Sequence, residues 1–139
     1  MTLKLCDATT IAMCNTLVDL IDGGAGAGTL KIYSDAQGAD PDAQATTGLL
    51  ATLTFSDPAF GNAATSGANA VATASAITDE SSSTSGTAAS FLVEDSNGAN
   101  IFSGTVGTSG ADLNLNTTTI PSAGTVSITS MTVSVTRDP

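Results

Sequence analysis

Residues 88–107 read AASFLVEDSNGANIFSGTVG, and the way this run pairs with itself decides the fold class. Asn97-Gly98 is the favoured pair for a two-residue hairpin turn, in which both central residues need positive φ. With that turn Ser96 faces Ala99, Val93 faces Phe102, Phe91 faces Gly104 and Ala89 faces Val106. The bulky members then share one face. Ser90, Glu94, Ser103 and Thr105 take the other, with Leu92 and Ile101 as exceptions. A one-residue slip would destroy the agreement. Phe91 lying over Gly104 is also a common way to compensate a strand glycine. The run therefore predicts an antiparallel hairpin with one buried face.

The flanking segments repeat the two-residue period. LLATLTFS, residues 49–56, sets Leu49, Ala51, Leu53 and Phe55 against Leu50, Thr52 and Thr54, and SDPAFG then carries a turn at Pro58 and Gly61. NAVATASAIT, residues 69–78, puts Val71 and Ile77 on one face and alanines on the other, a weaker strand at an edge or against a close neighbour. DESSSTSG, Asp79 to Gly86, has no periodicity and reads as an exposed, mobile loop. Beyond the hairpin, Leu113 and Leu115 alternate with Asn114 and Asn116. In the tail Val126 and Ile128 share a phase that Met131, Val133 and Val135 reverse, so a bulge or a crossing between sheets is expected near Thr129-Ser130. One helix and seven or eight short strands describe a mainly β domain, an antiparallel β-sandwich or jelly roll.

The N-terminal part poses a different question. DLIDGGAGAGTLKIYS, residues 19–34, holds four glycines between Gly23 and Gly28, and glycine-rich loops can cradle phosphates. A phosphate loop runs from a strand into a helix, so that amides and the positive helix end face the anion. Here the order is reversed. Ile11, Cys14, Leu17 or Val18, and Ile21 recur at helical spacing, with Asp7 as an expected N-cap and Gly23 at the left-handed stop position. Leu30 and Ile32 then alternate with Thr29 and Lys31 as in a strand. The glycines meet the negative end of a helix beside Asp19 and Asp22, and no Gly-Lys-Ser/Thr follows. They read as a flexible connector.

Composition narrows the chemistry. Thirteen acids against Lys4, Lys31 and Arg137 give a net charge of −10, which disfavours nucleic acid and anionic membranes as partners. No segment reaches the roughly 18 apolar residues of a membrane span. MTLKLCDATT lacks the apolar core of a secretory signal, so the chain is expected to be made and used without export. Leu, Ile, Val and Phe are scarce, which predicts a thin core that gains stability from an assembly. A disulfide between Cys6 and Cys14 would have to join the residues before the helix to its second turn, an awkward geometry, and Cys14 lies on the apolar face as a buried thiol. Without histidine no Ser-His-Asp or Cys-His arrangement can be built. A paired-carboxylate site has only Glu94 inside a firm strand. Asp35, Asp40 and Asp42 could offer oxygens to calcium but lack the spacing and closing Glu of a calcium loop. With no Trp and only Tyr33, the aromatic platforms of a sugar site are missing. No enzyme, cofactor, metal or small-molecule substrate is expected.

Three runs carry a resemblance that spans nearly the whole chain: LVDLIDGGAGAGTLKIYS, LLATLTFSDPAFG and GTVGTSGADLNLNTTTI. In length and order of segments they resemble a group of small virion structural proteins of tailed bacteriophages and prophages. The resemblance implies a capsid decoration, or cement, protein: a homotrimer on the outer capsid surface, made in the host bacterial cytoplasm, which bridges subunits of the major capsid protein. Rival readings are a receptor-binding or head-fibre domain, for which the loop Asp79–Gly86 is the one suitable feature, and a tail structural subunit. The expected organisation is a single domain over 1–139, with an arm 1–6, a helix 7–22, a connector 23–28 and a β-domain 29–139. Leu3 and Leu5 on the arm are candidates for docking; equally, they could begin the first strand.

Overall fold

The protein is described by a computed structural model over residues 4–40, 42, 47–81 and 83–137. It is mainly β, an antiparallel sandwich-like arrangement with one helix near the N-terminus. Helix α1 spans Asp7–Asp19 and tightens into a 3-10 turn over Leu20–Asp22. Strands follow as β1 Thr29–Tyr33, β2 Leu49–Phe55, β3 Ala64–Ser66, β4 Asn69–Thr73, β5 Ile77–Thr78, β6 Gly86–Thr87, β7 Ser90–Glu94, β8 Asn100–Gly107, β9 Leu113–Asn114, β10 Thr119–Ile120 and β11 Thr132–Thr136. Several of these are two-residue pieces, so the division is finer than seven or eight. No described helix is long and apolar enough to cross a membrane.

Helix α1 buries Thr10, Cys14 and Val18, and Ile21 continues the stripe in the 3-10 turn. Its ends differ from expectation. Cys6, not Asp7, is the N-cap residue; Asp7 sits in the first turn, where its charge suits the positive helix end, and its carboxylate pairs with Arg137. Gly23 is extended (φ −64°, ψ 139°), and the left-handed residue is Gly24 at φ 96°.

Six strands form the larger sheet in the order β5-β2-β1-β7-β8-β9, antiparallel except for β8 beside β9. Its inner face carries Leu30, Ile32, Leu53, Phe55, Phe91 and Val93, all buried. The hairpin keeps Val93 opposite Phe102 and Phe91 opposite Gly104, and the Val106 amide donates to Ala89. The turn, however, is shifted. Gly98 N–H donates to Asp95 O and Asp95 N–H to Ala99 O, both at 3.1 Å, so Ser96 and Asn97 are its central residues. Gly98, at φ 81°, completes a three-residue turn, Glu94 pairs with Asn100, and Ile101 is the extra residue that restores the pairing of Val93 with Phe102. The cause is Asp95, whose carboxylate accepts from the Asn97 and Ala99 amides at 2.9 and 2.8 Å and starts the turn early.

A second bulge corrects β2. Ile32 faces Ala51 but Tyr33 faces Leu49, which leaves Leu50 as an extra residue. Leu50 is thereby buried and Leu49 exposed, the reverse of the expected phase. The polar face of the hairpin is also not free. Ser90 is fully buried with its hydroxyl donating to Asp35 O at 2.7 Å, and Gln37 donates to Ser103 at 3.1 Å. The segment after β1 thus folds across the outer face.

A three-stranded sheet has the order β11-β4-β3, and β10 and β6 form a separate antiparallel pair. Ala70 and Ala72 pair with Val135 and Val133 on one face, and α1 packs there. The alanines are nearly inaccessible, so β4 is a central strand whose close neighbour is the helix; methyl side chains let the helix backbone approach. Ile77 has left this strand and pairs with Phe55 at the margin of the larger sheet. In the tail Val126 bridges Glu80, whereas residues 132–136 join β4, so the phase switch marks a crossing between structures. The described residues of Asp79–Gly86 are mostly exposed, as expected, but tethered: Glu80 and Val126 exchange backbone hydrogen bonds, and Thr84 N–H donates to Leu50 O. Buried Ser83 places its hydroxyl 2.9 and 2.8 Å from the Pro121 and Gly124 carbonyls. One hydrophobic cluster joins α1, both sheets and the tail residues Val126, Ile128 and Met131.

Candidate interaction groove

The glycine-rich connector is a packing device. Ser96, at the hairpin turn, donates from its amide and hydroxyl to Gly23 O at 3.2 and 2.9 Å, and its hydroxyl accepts from Gly26 N–H at 3.2 Å. A Cβ on Gly24 would lie 2.2 Å from the Ser96 hydroxyl. The connector therefore seats the turn of the hairpin against the end of α1.

The candidate chemical groups are dispersed. Asp35 accepts from the Thr47 hydroxyl, and Asp40 accepts from the Asp42 amide at 3.0 Å. Among the described residues no three acidic or thiol side chains converge as metal ligands would. Glu94 is buried on the outer face, paired with Lys31 of β1 at 2.6 Å. Their strands place them diagonally, since Lys31 lies opposite Leu92. Nearby Tyr33 has its hydroxyl pushed up by burial, an effect that Lys31 offsets and Glu94 reinforces. Cys6 is exposed; Cys14 is buried, its thiol pushed up by desolvation, with Sγ 3.6 Å from Val133 O. Leu5 is half-buried, its amide 3.4 Å from Arg137 O beside the end of β11; Leu3 lies outside the described residues.

What the structure does assemble is a trough between the two sheets. A hollow of about 490 Å³ separates β8 and β9 from residues 130–134. A second, of about 330 Å³, runs between residues 114–121 and 125–130. They share Asn114 and Ser130 and so lie side by side. Its walls include consecutive residues, such as Ser130 to Ser134, where a strand face would present alternate ones. The trough is bordered by strand edges.

Both edges are open. Hydrogen bonds from Arg137 N–H to Ala68 O and from Ala74 N–H to Met131 O fix the odd-numbered residues of β11 toward β4. Thr132, Ser134 and Thr136 therefore turn their backbone groups away from the sheet, with no strand beside them among the described residues. By the same alternation Ser103 directs its groups off the far side of β8, where β9 pairs only with Val106 and Gly107 and the Thr105 amide is taken by Asp112. Phe91, Phe102 and Met131 line the floor, with Phe91 and Phe102 in edge-to-face contact at 6.3 Å. Asp112 is the charged side chain on the wall. Hydrogen bonds from the Thr105 amide at 2.9 Å and hydroxyl at 2.7 Å hold its carboxyl below the usual range.

Sequence reasoning did not find these edges, because TVSVT reads the same in a central strand as in an edge strand. The one available signal was the absence of Pro and Lys, the residues that commonly guard an edge. No protein-family model, no curated protein and no solved structure matches this chain.

Proposed function

We propose that this protein is a non-enzymatic structural component of a tailed-phage virion, decorating the outer capsid as a homotrimer and bridging neighbouring major capsid subunits. The virion part of the reading rests on the three-run resemblance. The observation that supports the structural role is the trough beside the edge of β11, which has no paired strand among the described residues. Cementing needs contact area spread over several subunits, and many copies on one lattice multiply a modest contact. An acidic exterior suits a protein that gathers at high local density while remaining soluble. The fibre alternative is less favoured, since Glu80, Ser83 and Thr84 of the loop Asp79–Gly86 are pinned to Val126, Pro121 and Leu50.

Imaging of the particle with this chain bearing a bound label tests the reading. Label distributed over the shell is the expected result. Label on the tail or fibres, or none on the particle, overturns it. Light scattering of the purified protein should give three times the chain mass.

A further inference from the structure

We infer that the free edge of β11 takes up an extended, lysine- or arginine-bearing segment of a partner protein as an added strand; this deepens the decoration reading by naming how the contact is made. The backbone groups of Thr132, Ser134 and Thr136 face the open side in register, and the five-residue strand contains no bulge, proline or charge. An edge of this kind is a template for strand pairing, and main-chain hydrogen bonds supply the affinity in that mode. The adjoining hollow gives room for the side chains of the added strand, with Phe102 and Met131 as apolar contacts.

Charge selects the partner. The chain carries −10 overall, and its trough is lined by anionic Asp112 with no cationic side chain among the lining residues. Lys31 is engaged internally with Glu94 and Arg137 with Asp7. A second copy would bring like charge to like, whereas a basic segment is drawn in and its cation can lie near Asp112.

The probe is an acetylated eight-residue peptide of alternating valine and threonine with a lysine at each end, titrated into the intact protein while its backbone amides are followed by NMR. Saturable shifts at Thr132, Ser134 and Thr136 up to about 1 mM peptide are expected. Ser134→Pro removes an outward amide without touching the ladder to β4, and should weaken binding by about tenfold or more. Asp112→Asn should weaken it by about two- to fivefold, a difference that shrinks in high salt. A peptide N-methylated at alternate residues gives the same test without altering the protein. The inference is overturned if the β11 amides do not move, if the N-methylated peptide binds as well, or if at neutral pH the edge instead pairs with a second copy of the chain. Loss of peptide binding with the protein still on the shell removes this inference alone. Retained peptide binding with the protein absent from particles removes the decoration reading.

Discussion

Two left-handed glycines separate backbone strain from crowding. Gly24 (φ 96°) has the Ser96 hydroxyl where a Cβ would project, whereas Gly98 (φ 81°) faces open space. Gly98→Ala should cost about 1 kcal/mol, the penalty of the left-handed conformation. Gly24→Ala adds a clash at the seat of the hairpin turn and should cost about 2 kcal/mol or more. Chemical denaturation of both variants checks the order, and equal losses would refute the packing role of the connector. Asp95 governs the same turn. Backbone amides, that of Ala99 first, hold its carboxyl below the usual range. A depressed folded value means that its stabilisation is present above the unfolded carboxyl value of about 3.9 and is lost as pH falls through the lower folded one. Amide exchange at Asn97 and Ala99 should therefore accelerate as pH drops below about 4, after correction for intrinsic rates. Asp95→Asn should move that response.

At the level of elements, the contact of α1 with β4 depends on side chains that are small. Ala72 is fully buried beneath the helix, so Ala72→Leu should destabilise by about 1–3 kcal/mol through overpacking. Val71→Ala, on the opposite face, should cost under about 1 kcal/mol. Thermal unfolding of the pair distinguishes a close helix–sheet seam from a loose one. The seam also shows what was legible beforehand. Helical spacing located α1 because Cys14, Val18 and Ile21 form one buried apolar stripe through the helix and its 3-10 turn, and alternation located β7 and β8 because Phe91 and Val93 must share a face. The phase of Leu49 and Leu50 was not legible, since the bulge depends on how β1 pairs across from it. Ser83 gave no periodic signal because its role is a polar contact with carbonyls about forty residues away. The trough was the least visible feature: no local pattern states which strands end a sheet.

For the molecule as a whole, the open edge and the net charge act against each other. With a pI near 4.1, the chain loses its repulsion as carboxylates take up protons, while the β11 edge is still available for pairing. Light scattering across a pH series should rise toward pH 4, and Ser134→Pro should suppress the rise. A rise that Ser134→Pro leaves unchanged would assign the association to another surface. Chain order adds a temporal consequence. Gly23 O, at the end of the helical segment, finds its partner in Ser96, 73 residues later. At a translation rate of about 5–20 residues per second, the ribosome needs about 4 to 15 s to deliver that serine. The helix thus leaves the exit tunnel well before the hairpin that seats it exists, and the nascent N-terminal segment must wait, solvated by its acids, for the middle of the chain to arrive.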